Sequence, residues 1–328
     1  MHSNQKVFVT RNIIPDAISK LKEHFDVEVW DNPDPLSKEM FIQKLQNFEG
    51  IMTEVSDIID DDLISSCDVL KVIANRAIGY DNIDLDSASR NGVLVSNTPG
   101  ILQDSCADFT MGLMLALGRQ VTRSNRKVIA GEWKFFDQVP YLGTDVFGKT
   151  LGLIGMGAIA TAVAKRATGF DMKILYYSRT RKPEIEALYN IEWTSFSELL
   201  SRSDYVSIHT PLNQKTKNLM NLNTFQQMKK DAFLINTSRG GTVNTGDLRK
   251  ALNEGYIAGA ALDVTSPEPI SPDDPLVHME NVIITPHIAS GSIVTVRRMG
   301  MLAADNIIAA LKNKEMPSCL NPEAKRTH

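Results

Sequence analysis

Short apolar runs recur along most of the chain, separated by longer stretches whose apolar positions repeat at helical spacing. In the first third the runs are "KVFVT" (6–10), "VEVW" (27–30), "GIMT" (50–53), "KVIAN" (71–75) and "VLVSN" (93–97). Between the first two, "PDAISKLKEHF" puts Ala17, Ile18, Leu21 and Phe25 on one helical face. Pro15 stands at its start, where a missing N–H costs nothing. Runs of this kind predict strands, and their alternation with helices predicts a parallel sheet covered on both faces. A long helix is expected from about Cys106 to Ile129. The pattern then restarts at "KTLGLIGMG", with strands at 151–154, 173–177, 204–209, 232–237, 258–264 and 281–286. A last helix is expected from about Ile293 to Lys312. No repeat or low-complexity linker marks a border, so the restart itself places it.

The 328 residues suit two domains, and an apolar share of 43% supplies cores for both. A formal net charge of −4 gives no reason to expect a nucleic-acid or membrane surface. The start, "MHSNQKVFVTRN", has no signal-peptide core, and "MGLMLALG" is too short to span a bilayer. Cys67, Cys106 and Cys319 are scattered, with no metal-ligand spacing, so neither zinc nor a disulfide framework is expected. The cytoplasm is the expected compartment.

"LGLIGMGAIATAVAKRA" combines a buried strand, a glycine turn and a helix. It fits Gly-x-Gly-x-x-Ala with Gly155, Gly157 and Ala160. The first glycine makes the turn, the second admits a pyrophosphate, and the small third residue lets helix and strand pack. Free N–H groups at the helix start suit the phosphates. A plain glycine-bearing turn is the bland alternative, but the flanking elements favour a dinucleotide site. About twenty residues on, "KILYY" ends at Ser178, followed by Arg179, Thr180, Arg181 and Lys182, with no carboxylate among them. An acid there binds ribose hydroxyls and repels a 2′-phosphate, whereas Ser178, Arg179 and Thr180 offer donors to one. NADP(H) is therefore favoured as cofactor. NAD(H) stays open, because a basic, solvated loop entry would look the same.

Three polar residues follow later strands. Arg239 lies in "NTSRGG", Glu268 in "LDVTSPEP" after Asp263, and His287 in "TPHIAS". Each alone reads as a surface charge, a solvated acid or a capping histidine. Together they offer a carbonyl-binding cation, a proton donor and a carboxylate to orient it.

With "AIGYDNID" (77–84), "NTPG" (97–100), "GKTLGLIGMGAIA" (148–160), "HTPL" (209–212), "NTSRGG", "ALDVTSPEP" and "TPHIAS" in this order, the chain resembles the D-isomer-specific 2-hydroxyacid dehydrogenases over nearly its whole length. It looks most like their glyoxylate/hydroxypyruvate and 2-ketogluconate reductases. The resemblance implies an α/β fold of two doubly wound domains. A Rossmann nucleotide-binding domain (102–287) would be inserted in a flavodoxin-like substrate-binding domain (1–101 and 288–328), with the active site in a cleft that closes. It makes His287 the acid/base, Glu268 its partner and Arg239 the substrate-binding cation. Ile78 and Gly79 would offer N–H groups to the substrate carboxylate, and Asp263 would meet the nicotinamide carboxamide. Ala158, Ile159, His209, Pro211, Thr237 and Cys106 would complete the cofactor site with Gly155, Gly157, Ser178, Arg179 and Thr180. A homodimer is implied, with "GEWKFFDQVPYLG" at its interface. Two departures stand out: Ala158 where the family often has Arg, and Cys106 where Thr or Val is common. A phosphoglycerate dehydrogenase and a non-catalytic nucleotide sensor are the rival readings. Glu54, where related phosphoglycerate dehydrogenases place Arg, argues for an unphosphorylated 2-keto acid, with Arg76 near enough in sequence to offset it.

Overall fold

A computed structural model describes residues 4–12, 14–32 and 34–324. Residues 1–3, 13, 33 and 325–328 of the expected first domain lie outside the described residues. The chain forms two compact units, Met1–Leu102 with Gly291–His328, and Gln103–Ser290.

The first unit holds β1 (Lys6–Val9), β2 (Asp26–Val29), β3 (Gly50–Thr53), β4 (Val72–Asn75) and β5 (Leu94–Ser96). They pair in parallel in the order β2-β1-β3-β4-β5. That is the flavodoxin-like order. Alternate residues go to opposite faces, so an unbroken apolar run feeds two cores. Val7, Val9, Met52 and Val72 pack with Ala303 and Ile307 of the helix Ile293–Leu311. Phe8, Ile51, Ile73 and Val95 pack on the other side with Phe41, Leu45 and Leu63. Phe8 is fully buried between Phe41 and Phe48, and its truncation to Ala would cost about 3–5 kcal/mol.

The second unit holds β6 (Thr150–Ile154), β7 (Lys173–Tyr177), β8 (Glu192–Trp193), β9 (Tyr205–Ile208), β10 (Phe233–Asn236), β11 (Gly259–Leu262) and β12 (Val282–Ile284). All pairings are parallel, in the order β12-β11-β10-β9-β6-β7-β8. The chain order reverses between β6 and β9, the switch point at which such sheets bind ligands. β8 escapes sequence reading because it is two exposed residues with no apolar run.

The single long helix expected from Cys106 to Ile129 is two helices, Gln103–Gly118 and Val121–Ile129. Gln120 breaks it in a left-handed conformation (φ 53°). The returning segment 142–144 holds the break: Thr144 N–H donates to the Gly118 carbonyl at 2.8 Å, and the Gln120 amide donates to the Leu142 carbonyl. The segment after the second helix exposes Trp133, Phe135, Phe136, Val139 and Leu142. No helix among the described residues is long and apolar enough to cross a membrane.

Candidate active site

In the second unit β10, β11 and β12 lie side by side, with Asn236 paired to Leu262 and Leu262 to Ile284. Arg239, Asp263 with Glu268, and His287 therefore leave neighbouring strand ends. Gly240 makes the approach of the first two loops possible. A Cβ there would lie 1.8 Å from the Thr265 carbonyl oxygen, a backbone contact that cannot yield. Asn236 shapes the Arg239 loop, donating to the Arg239 carbonyl at 3.0 Å and accepting from the Ser238 N–H and hydroxyl.

His287 Nδ1 lies 2.5 Å from Glu268 Oε1, a charge-assisted distance when the ring is protonated. Burial pulls the Glu268 carboxyl upward. The hydrogen bond and charge of His287, the Thr265 N–H and the charge of Arg239 outweigh it and hold the group below its ordinary value. Glu268 is thus a carboxylate at neutral pH.

His287 itself has a left-handed backbone (φ 55°), strained for a side chain of this size. Asp263, buried beneath, holds it. The Asp263 carbonyl accepts from His287 N–H at 2.9 Å. Its carboxylate accepts from Thr285 Oγ1 (2.6 Å), Ile288 N–H (2.9 Å) and Ala289 N–H (2.8 Å). Cys106, also buried, is pushed up to about 12 by desolvation and by the Asp263 charge, so it stays a thiol. Thr110 links the Cys106 carbonyl (2.8 Å) to the Thr237 hydroxyl (3.1 Å).

The glycine turn follows β6. Gly155 has φ 97°, and a Cβ there would meet the His209 carbonyl oxygen at 2.6 Å, so only glycine fits. At Gly157 a Cβ would meet nothing within 4 Å, which leaves the space over the turn open. Gly157 caps the helix Ala158–Ala167, with Ile159 in its first turn. The free N–H groups of that helix start suit an anionic group. Ala158 is exposed and adds no charge to it. His209 is half-buried, yet its ring is desolvated, accepts or donates at 2.9 Å to Ser207, and falls to about 4 in pKa. It is a neutral ring, and its backbone carbonyl lies against Gly155. Pro211 is exposed, and its carbonyl accepts from Thr216 at 2.6 Å.

The basic cluster after β7 is divided. Arg181 makes a forked ion pair with Glu186, which also accepts from the Tyr176 hydroxyl at 2.7 Å. The Ser178 hydroxyl donates to the Thr180 carbonyl at 2.6 Å. Arg179 is exposed, and no hydrogen bond or ion pair engages it among the described residues. Arg181 and Ser178 are thus engaged within the loop, while the side chains of Arg179, Thr180 and Lys182 make no hydrogen bond or ion pair among the described residues.

In the first unit Ile78 and Gly79 follow β4. Asn75 donates to the Gly79 carbonyl at 2.9 Å and to Asn82 at 3.2 Å, and Asn97 donates to the Ile78 carbonyl at 2.9 Å. Both carbonyls of the loop are tied down by buried amides. Beside it, Arg76 and Glu54 form a forked ion pair, mostly buried, that joins the ends of β3 and β4. Sequence reasoning missed the three asparagines, although "KVIAN" and "VLVSN" both close an apolar run with one.

Residues 111–289 match the family described as "D-isomer specific 2-hydroxyacid dehydrogenase, NAD binding domain". A glyoxylate reductase of Korarchaeum cryptofilum is 42% identical over 319 residues, 97% of this chain and 96% of the relative. The chain belongs to the D-isomer specific 2-hydroxyacid dehydrogenases. A crystal structure of a Thermus thermophilus protein is similar at a TM-score of 0.91 and 39% identity, covering 96% of this chain and 100% of that one. The NADPH-dependent glyoxylate/hydroxypyruvate reductase of Sinorhizobium meliloti, solved with NADP and malonate, has a TM-score of 0.85 at 28% identity, covering 98% of each chain. As a 2-hydroxyacid dehydrogenase the protein is an oxidoreductase that uses a nicotinamide cofactor. The open space over Gly157 and the close packing under Gly155 fit that group.

Proposed function

We propose that this dehydrogenase reduces a small unphosphorylated 2-keto acid (glyoxylate, hydroxypyruvate or 2-ketogluconate) to the D-2-hydroxy acid, with NADPH preferred. The observation that carries the chemistry is the 2.5 Å contact of His287 with Glu268, both following strand ends beside that of Arg239. The nicotinamide supplies the hydride when bound. Arg239 holds the substrate carboxylate and polarises the ketone. As charge builds on the oxygen, Arg239 stabilises it and protonated His287 supplies the proton. Glu268 holds Nδ1, which leaves Nε2 to face the substrate. The N–H groups of Ile78 and Gly79 receive the substrate carboxylate.

Arg179, without a carboxylate at the end of β7, supports NADPH. Glu54 opposes a second anionic group and occupies the fork of Arg76, which supports an unphosphorylated substrate. The exposed aromatic segment at 133–141 supports a homodimer, since patches of that kind mark interaction surfaces. Purified protein assayed with glyoxylate, hydroxypyruvate, 2-ketogluconate, pyruvate and 3-phosphohydroxypyruvate, each with NADH and NADPH, tests the reading. Highest kcat/KM with 3-phosphohydroxypyruvate, or with NADH throughout, would sink the corresponding half. A monomer by light scattering would remove the dimer.

A further inference from the structure

The chain after the helix Ile293–Leu311 stays on the first unit. Asn321, fully buried, works as a substitute strand partner for the edge of β5. Its side chain accepts from Val95 N–H at 2.7 Å and donates to the Val93 carbonyl at 2.9 Å and to Ser89 at 3.1 Å. Leu320 N–H donates to the Val95 carbonyl at 2.8 Å. Further back, Asn306 of the helix accepts from Ser318 N–H at 2.9 Å. These contacts fix Ser318, whose hydroxyl reaches the carbonyl (2.9 Å) and the side-chain oxygen (3.0 Å) of Asn97. Asn97 is the residue that donates to the Ile78 carbonyl.

An amide has an oxygen end and a nitrogen end of nearly the same shape, and only its partners decide which way it faces. The Ile78 carbonyl can only accept, so it takes the nitrogen end and leaves the oxygen end to the Ser318 hydroxyl, whose one hydrogen is shared between that oxygen and the Asn97 carbonyl. Ser318 thereby anchors Asn97 at its backbone and its side chain while the amide nitrogen holds Ile78. We propose that this C-terminal strap sets the anion-binding loop, with Ser318 and Asn97 as positioning residues for the substrate carboxylate. The inference rests on the reading that Ile78 and Gly79 receive that carboxylate. Donors fixed before the substrate arrives need no reorganisation when it binds, so loosening them weakens binding and leaves the hydride step alone.

The test uses the full chain with NADPH, glyoxylate as substrate and oxalate as a carboxylate that cannot be reduced. Ser318→Ala should raise the KM for glyoxylate and the Kd for oxalate about three- to tenfold, the size of one neutral hydrogen bond. The kcat and the KM for NADPH should not move, and Ser318→Thr should restore both affinities. Asn97→Asp, which cannot donate to Ile78, should weaken oxalate further. Gly79→Pro deletes one loop N–H and checks the premise. If it weakens oxalate while Ser318→Ala and Asn97→Asp do not, the strap proposal is overturned and the carboxylate reading stands. If Gly79→Pro leaves oxalate binding unchanged in a folded protein, the carboxylate reading falls and the proposal with it. A Ser318→Thr enzyme as weak as Ser318→Ala would also overturn the proposal.

Discussion

At the strand ends of the second unit stand ionisable groups: Arg239, Glu268 and His287, with Asp263 beneath. At the strand ends of the first unit the loop of Ile78 and Gly79 is held by amides, Asn75 at the end of β4 and Asn97 after β5, with Asn82 beside them and the Arg76–Glu54 ion pair next to it. The ionisable groups can move protons and stabilise developing charge. The amides can only hold backbone, because an amide does not titrate and each of its hydrogen bonds is modest. The His287–Glu268 pair is therefore suited to moving a proton, and the amides around Ile78 and Gly79 to holding backbone. Removing a group should cost rate in the first case and affinity in the second.

His287→Ala should break the comparison most strongly on the chemical side. Reduction should fall about 10²–10⁴-fold, the usual share of general acid catalysis, with NADPH binding intact by fluorescence titration. Near-normal turnover would remove His287 from the mechanism.

Glu268→Gln sharpens it through pH. Burial raises the Glu268 carboxyl, and His287 and its other partners lower it by more. The contribution of the ionised carboxyl is present above the ordinary carboxylate range and is lost as pH falls through the depressed value. The amide variant lacks it throughout, so reduction at neutral pH should fall about ten- to a hundredfold, because one charge-assisted bond is worth about 1.5–3 kcal/mol. The gap should close as the wild type is taken to acid below the depressed value. An unchanged rate at neutral pH would remove Glu268 from the mechanism.

Arg179→Ala should lower kcat/KM for NADPH by about tenfold or more and leave NADH nearly unchanged. Arg181→Ala should do much less, because that guanidinium is already forked onto Glu186. Equal effects would mean that the cluster acts as a diffuse field.

The smallest effect is expected at the ion pair of the first unit. Burial pushes the Glu54 carboxyl up against the pull of Arg76, and Glu54→Gln removes that carboxyl and frees the Arg76 fork. Activity with 3-phosphohydroxypyruvate relative to hydroxypyruvate should rise about tenfold, or about 1.4 kcal/mol. No change in that ratio would place the substrate's far end away from Glu54.

How much of this could be read beforehand follows the same division. The strands declared themselves by apolar runs, and Gly155 and Gly157 by their spacing after one of them. Arg239, Glu268 and His287 stood out because a charge just past a buried strand needs a reason. The turn between Gly118 and Val121 was not legible, since helical spacing continues across it and the holding contacts come from Leu142 and Thr144. The cations after β7 were legible as a cluster but not in their pairing. Arg181 is claimed by Glu186 five residues on, and Ser178 by the carbonyl of Thr180. Asn321 could not be found from sequence at all. Its partner Val95 is 226 residues away, and nothing local distinguishes it from a turn residue.

That separation also bears on how the protein is made. The helix Ile293–Leu311 covers one face of the first sheet, and Asn321 closes its edge. Both leave the ribosome after the second unit. The β1–β5 segment emerges before it, with Val7, Val9, Met52 and Val72 waiting for Ala303 and Ile307. The second unit, continuous from Gln103 to Ser290, is synthesised in between. At about 5–20 residues per second that interval lasts on the order of ten to forty seconds. During it the nascent chain carries a bare apolar sheet face and an open strand edge, the surface that chaperones cover and neighbouring nascent chains can join.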